Sequence, residues 1–218
     1  MVLAKTMARR RALATLMALA VAVMAVLAAP AHSAENPKKA VAIFAGGCFW
    51  CVESDFDHVP GVLDTVSGYI GGKIANPTYK QVTAGGTGHI EAVKITFDPA
   101  KVSFAKLLNV FWRSVDPTDA GGQFCDRGES YTTAIFVTDQ KQLATAQASK
   151  KKLNAAKLLP KPVITPIRLA GPFYPAEDYH QNYYKKNPIR YNFYRFNCGR
   201  DSRVKALWKD AAHQGIKK

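Results

Sequence analysis

The apolar positions of the chain change period several times, and each change marks an element. From His89 to Phe97 they alternate: Glu91, Val93, Ile95 and Phe97 share one side, while Ala92, Lys94 and Thr96 take the other. That period of two belongs to a strand, here closed by Asp98-Pro99. Lys39 to Ala45 is a short apolar run ended by Gly46-Gly47 and reads as a buried strand. Val62 to Ile70 leans towards strand and stops at Gly71-Gly72, and Tyr131–Val137 and Pro162–Leu169 supply two more. Helical character runs from Cys48 to His58, halted by Pro60-Gly61. Ser103 caps a helix that spaces Phe104, Leu107, Leu108, Phe111 and Trp112 along one face. Asp139 to about Leu158 is a lysine-rich, mostly exposed helix, and Arg200–Ala212 a C-terminal one. The core order strand–helix–strand–strand–helix–strand is a split βαβ, ferredoxin-like pattern: an α/β fold with helices on a mixed sheet. No internal repeat is present.

The first 33 residues stand apart. Lys5 and Arg9–Arg10–Arg11 precede an unbroken apolar stretch, Ala12 to Ala29, followed by Pro30-Ala31-His32-Ser33. A basic head, an apolar middle and a small-x-small exit describe a signal peptide, cleaved after Ser33. A membrane anchor is the rival reading, since eighteen apolar residues touch the lower limit for a span, and Arg9–Arg10 also permits twin-arginine export. On either reading the working domain, residues 40–218 after a polar linker at 34–39, lies outside the cytoplasm, periplasmic or secreted. Its C-terminal part, from about residue 190, reads as an extension. The whole chain carries +14; four of those charges belong to the basic head, which leaves +10 for residues 34–218. Such a charge favours acidic partners and surfaces but does not select a fold.

Gly46-Gly47-Cys48-Phe49-Trp50-Cys51 is the densest chemical feature. A cysteine that follows a strand and opens a helix faces unpaired backbone N–H groups. Those donors and the helix dipole favour thiolate, so the expectation is a lowered pKa at Cys48. Phe49 and Trp50 set an aromatic surface beside it. Glu91 shares its strand face with apolar residues; burial there raises a carboxyl pKa and makes a general acid at neutral pH. The same residue, at a strand end, also fits a glutamate that simply reaches water. Tyr79 and Tyr131 suit either core aromatics or phenols donating to a polarised oxygen. Asp126 suits a turn former or a pocket carboxylate.

Taken together, Gly47-Cys48-Phe49-Trp50, Gly68-Tyr69-x-Gly71-Gly72, Asn76-Pro77-Thr78-Tyr79, Thr87-Gly88-His89-x-Glu91-Ala92-Val93 and Tyr179-His180-Gln181 resemble the A-type peptide methionine sulfoxide reductases over about residues 40–190. The resemblance implies a two-layer α/β sandwich with peripheral segments. It makes Cys48 the nucleophile on the sulfoxide sulfur and Glu91 the acid that protonates the oxygen. Tyr79 and Tyr131 become donors to that oxygen, Asp126 a carboxylate of the same pocket, and Phe49 and Trp50 the cage for the substrate methyl. The implied substrate is methionine S-sulfoxide, free or in oxidised proteins. Cys48 ends as a sulfenic acid, a second thiol condenses with it, and a thioredoxin-like donor reduces the disulfide. No metal or organic cofactor is required.

One well-known form of the family has glycine at the position of Cys51 and a resolving cysteine where this chain has Asn192, so the recycling thiol does not carry over. Cys198, expected in a loop able to swing inwards, ranks slightly above Cys51 as the resolver, a relay joining the two stays open, and Cys125 reads as a half-buried free thiol. A general thiol–disulfide oxidoreductase is the alternative activity, because Cys48-x-x-Cys51 suits it, but it leaves Glu91 and the tyrosines without a role. Lys150-Lys151-Lys152 and Lys185-Lys186 read as a solvated face rather than a nucleic-acid site, and one close cysteine pair is too little for a zinc site.

Overall fold

The computed structural model describes residues 39–217; the expected signal peptide and linker residues 34–38 lie outside them. The core is four antiparallel strands in the spatial order of a split βαβ unit. β1 (Ala40–Gly46) is central, flanked by β3 (Ile90–Phe97) and β6 (Thr133–Val137), with β2 (Val62–Ile70) beyond β3. Two short edge strands complete a six-stranded mixed sheet: β7 (Ile167–Leu169) lies parallel to β6, and β8 (Phe173–Pro175) antiparallel to β2. A two-residue ribbon, β4 (Gly122–Gln123) with β5 (Asp126–Arg127), stands apart.

The helices are α1 (Phe49–Asp57), α2 (Tyr79–Thr83), α3 (Phe104–Trp112), α4 (Gln140–Ala155), α5 (Tyr183–Lys186), α6 (Pro188–Asn197) and α7 (Arg200–Trp208). Their starts follow local chemistry. Ser103 accepts from the Lys106 amide at 3.2 Å, Asp139 from Gln142 at 2.7 Å, and Thr78 with Gln81 forms a reciprocal capping box. One sheet face, with Phe44, Ile95 and Val137, packs against Val52 and Phe56 of α1 and Leu107 and Phe111 of α3. Burying a side chain of this size contributes roughly 1.5–3 kcal/mol. The Trp112 indole donates to Ser149 Oγ at 2.9 Å and joins α3 to α4. On the opposite face Ile43, Ala45, Ile70, Ile90 and Phe136 form a smaller apolar layer.

Several expected boundaries move. The strand expected at Pro162–Leu169 reduces to Ile167–Leu169, because Pro162 and Pro166 have no N–H for a ladder and the Ile164 amide instead donates to Pro117 O at 2.9 Å. Tyr131 belongs to a 3₁₀ turn, Glu129–Tyr131, and β6 begins only at Thr133. The C-terminal helix stops at Trp208, where Lys209 turns to φ +51°. β8, α5 and α6 were not expected. Cys198, expected in a loop able to swing inwards, is the C-cap residue of α6, and only Cys198 and Gly199 lie between α6 and α7. Within the C-terminal extension expected from about residue 190, Tyr191, Val204 and Trp208 are buried.

Candidate active site

The strand β1 ends in Gly46-Gly47 and the chain turns directly into α1. Gly47 has φ +80°, and a Cβ there would lie 2.5 Å from Cβ of Gln123, so only glycine makes this turn against the β4–β5 ribbon. Arg200, 1% exposed, fixes the turn from below: its guanidinium donates to Gly46 O and to Ser114 O, each at 3.0 Å, and lies 3.7 Å from Asp55. Cys48 then caps α1, with its carbonyl accepting the first helical bonds from Cys51 and Val52.

Glu91 sits beneath this helix start, 1% exposed, and its Oε2 accepts from the Phe49 backbone N–H at 2.9 Å. Burial pushes its carboxyl well above the ordinary carboxylate range, against the opposing pull of the Phe49 N–H, with Asp126 adding negative charge. The protonated acid can accept on one oxygen and keep the other to donate. Tyr69, which pairs with Glu91 across β2–β3, donates its hydroxyl to Glu177 Oε2 at 2.8 Å. The other Glu177 oxygen accepts from the Tyr79 amide at 2.8 Å and holds the start of α2 in place. The Tyr79 and Tyr131 phenols adjoin one another beside Glu91, and burial raises both pKa values. Asp126 accepts from the Tyr194 hydroxyl and is also pushed up by burial. Glu91, Tyr79, Tyr131 and Asp126 thus gather around Cys48, from three separate stretches of sequence.

Two expectations about the sulfurs are corrected. Burial raises the Cys48 thiol well above its ordinary value, with the neighbouring Cys51 sulfur and the charges of Glu91 and Asp126 adding to the rise. A lowered pKa was expected from the helix N-terminus, but the Phe49 N–H is spent on Glu91, and Cys48 is only 6% exposed. Cys51 moves the other way: the Cys48 thiol donating towards it, then the charges of Arg200 and Arg195, favour its thiolate despite burial. Cys125, expected as a half-buried free thiol, is exposed and disulfide-bonded to Cys198, while Cys48 and Cys51 are free. The sulfurs of Cys125 and Cys198 lie near an Asp126 oxygen, all within 4.8 Å, but bonded to each other they offer a metal no thiolate.

The aromatic surroundings come largely from the C-terminal third of the chain. Phe49 is 1% exposed and packs against Tyr69 and His180, so of the two expected cage aromatics only Trp50 remains partly open. The Trp50 ring stacks on Tyr183 at 3.7 Å between centroids, meets Tyr194 edge-on at 5.7 Å, and its indole N–H donates to His180 Nδ1 at 3.0 Å. Burial lowers the His180 pKa to about 4, so the ring is neutral with its proton on Nε2. Tyr191 and Tyr194 of α6, with Tyr183 and Tyr184 of α5, complete a cover over Cys48 and Cys51. Arg200, His180, Tyr183, Tyr191 and Tyr194 were not singled out as site residues. The only signal was the density of tyrosine between 179 and 194, and His180 within a quoted motif.

A free cysteine at a helix start, set against a buried carboxyl of raised pKa and two adjoining phenols, is the arrangement of a cysteine-dependent reductase site. The sequence model of the family described as "Peptide methionine sulfoxide reductase" matches residues 40–212. The chain is 55% identical over 187 residues to peptide methionine sulfoxide reductase MsrA 2 of Rhizobium meliloti, covering 86% of this chain and 91% of that one. It is 52% identical over 173 residues to MsrA of Bacillus subtilis, covering 79% and 98%. Among solved structures it is similar to methionine sulfoxide reductase A of Corynebacterium diphtheriae, with TM-score 0.62 and 34% identity over 71% of this chain and 77% of that one. It is also similar to reduced Mxr1 of Saccharomyces cerevisiae, with TM-score 0.65 and 27% identity over 71% and 89%. The chain belongs to the peptide methionine sulfoxide reductase family, A type, and is an enzyme of methionine sulfoxide reduction and protein repair.

Proposed function

We propose that the chain reduces the S-epimer of methionine sulfoxide outside the cytoplasm, with Cys48 as nucleophile, Glu91 as acid and Cys51 as the resolving thiol. The observation that supports this reading is the Phe49 N–H to Glu91 bond of 2.9 Å: a carboxyl whose pKa burial raises lies against the cysteine-bearing turn. Cys48 sulfur attacks the sulfoxide sulfur while Glu91 passes its proton to the oxygen, which without a proton is a poor leaving group, and the proton lost by the Cys48 thiol restores the Glu91 acid. Tyr79 and Tyr131 donate to the same oxygen, and Trp50 receives the methyl. Methionine leaves, and Cys48 holds the oxygen as sulfenic acid.

Cys51 is favoured over Cys198 as resolver because it lies one turn along α1, faces Cys48 and is a free thiol, whereas Cys198 is already bonded to Cys125. The charges of Arg200 and Arg195 support its thiolate, the form that attacks. Condensation gives a Cys48–Cys51 disulfide and water. An external dithiol of the thioredoxin type returns both to thiols by exchange. Export is supported by the basic head and apolar run of residues 1–33.

Purified protein with a dithiol donor should reduce one epimer of methionine sulfoxide and leave insulin disulfides essentially untouched; the reverse preference would establish the general oxidoreductase instead. N-terminal sequencing of protein from the periplasmic fraction of a bacterial host should begin at Ala34. Recovery only with membranes and an intact head would replace export by anchoring.

A further inference from the structure

The site is closed. Cys48 is 6% and Cys51 2% exposed, and the tyrosines of α5 and α6 lie over them. Two surface grooves nearby, one of about 740 Å³ along Asp119, Phe124, Cys198 and Arg203 and one of about 570 Å³ along Asp55, Tyr191 and Arg195, do not include Cys48 or Cys51. A peptide substrate and a protein reductant both need the cover to move. Its main element is α6, which contributes Tyr191 and Tyr194 and ends at Cys198, one turn beyond Tyr194. That end is tied to the β4–β5 ribbon by the Cys125–Cys198 disulfide and by the Tyr194 hydroxyl on Asp126, the residue next to Cys125. The middle of α6 is held by Arg195, paired with Asp55 at 2.8 Å and with Asp201 at 2.7 Å.

We infer that the Cys125–Cys198 disulfide is a second redox site of the protein, a latch that a dithiol reductant opens to release α6 from over Cys48 and Cys51. Cys125 is the more exposed of the two residues, so the donor thiolate attacks its sulfur. A donor–Cys125 disulfide forms as the Cys125–Cys198 bond breaks, and Cys198 leaves as thiolate. Asp126 lies 3.7 Å from the Cys198 sulfur, and the proton that the donor thiol gave up on forming its thiolate returns through solvent to the leaving Cys198. The donor's second thiol then displaces Cys125, and the donor leaves as a disulfide, two electrons and two protons having passed to the protein. With the tie cut, the Tyr194–Asp126 bond is no longer held in register and α6 can loosen between Tyr191 and Cys198, while Arg200, two residues on, still anchors the start of α7. The consequence is an enzyme that stays shut until reducing equivalents are present, which suits an oxidising compartment.

This inference rests on the proposed roles of Cys48 and Cys51 for its meaning, but its test reads access rather than turnover, so the two fail separately. Full-length mature protein is compared with the latch intact, with the latch opened by dithiothreitol that is then removed, and as Cys125→Ser. Alkylation of Cys51 and Cys48 by iodoacetamide, followed peptide by peptide, should quicken at least about tenfold in both open forms, as release of a locally opening segment requires. Backbone amide exchange across residues 191–198 should rise with it, and reoxidation of the wild type should reverse both. Unchanged exchange in β1 and β3 separates opening of the cover from general loosening in Cys125→Ser, and the reduced wild type needs no substitution at all. Equal alkylation rates with the disulfide closed and open would overturn the proposal and leave the bond a static staple.

Discussion

The Phe49 backbone N–H donates to the Glu91 carboxyl across 42 positions of sequence, at 2.9 Å. This one bond couples the two halves of the chemistry. It takes the first free donor of α1 away from the Cys48 sulfur, and it fixes the Glu91 carboxyl, the proposed acid, one residue from Cys48, the proposed nucleophile. Burial raises the pKa of both groups, that of Glu91 against the pull of this same N–H.

Glu91→Gln keeps the acceptor for Phe49 and removes the transferable proton. The reductase half-reaction should fall by roughly 10²–10⁴, the usual range for a general acid. Because burial raises the Glu91 pKa, the active protonated form predominates below that pKa and is lost as pH rises through it. Single-turnover rates of the wild type should show that falling alkaline limb. A variant within threefold of the wild type would give Glu91 a structural role only.

Cys48→Ser should release no methionine even in a single turnover, since no other sulfur stands at the head of α1. Cys51→Ser should release one equivalent and then stop, with sulfenic acid on Cys48 trapped by dimedone and read by mass spectrometry. If Cys51→Ser still forms an internal disulfide through Cys198, the earlier ranking of Cys198 is restored.

His180 positions Trp50 through the indole N–H bond at 3.0 Å. His180→Ala should free the indole and raise KM for sulfoxide more than it lowers kcat, while His180→Asn, which can still accept that bond, should recover part of the loss. Equal effects on both constants would place His180 in the chemical step.

Glu53 is fully buried, its Oε2 accepts from the Asn182 amide at 2.9 Å, and burial raises its pKa to about 7. Its folded pKa exceeds its unfolded value, so its contribution to stability is largest at low pH and is lost as pH rises through about 7. Glu53→Gln should flatten the decline in Tm between about pH 5 and 8 that this group causes. An unaltered slope in thermal melts would assign the decline to other groups.

Arg200→Met removes the guanidinium from Gly46 O, Ser114 O and the neighbourhood of Asp55. Leaving those buried groups unpaired should cost about 3–5 kcal/mol in urea unfolding, as broken buried ion pairs do. A loss under about 1 kcal/mol would mean that Arg195 alone satisfies Asp55.

The chain of amino acids determined by itself what depends on near neighbours. The alternation of β3, the apolar run of β1, the glycine turn into α1 and the caps at Ser103 and Asp139 are set by residues a few positions apart, and they yield the split βαβ core. Cys48 and Glu91 were legible for the same reason: one follows a strand and two glycines, the other lies on the apolar face of a strand. What only the tertiary structure decided are meetings between distant segments. Cys125 bonds to Cys198 across 73 residues, and His180 accepts from Trp50 across 130. Arg200 reaches Gly46 across 154, and each of these pairings depends on how the finished core aims its side chains. The ionisation of Cys48 belongs with them. A helix start offers donors to whatever lies nearest, and folding brought the Glu91 carboxyl to the Phe49 N–H and closed the tyrosines over the sulfur, so desolvation outweighed the helix dipole.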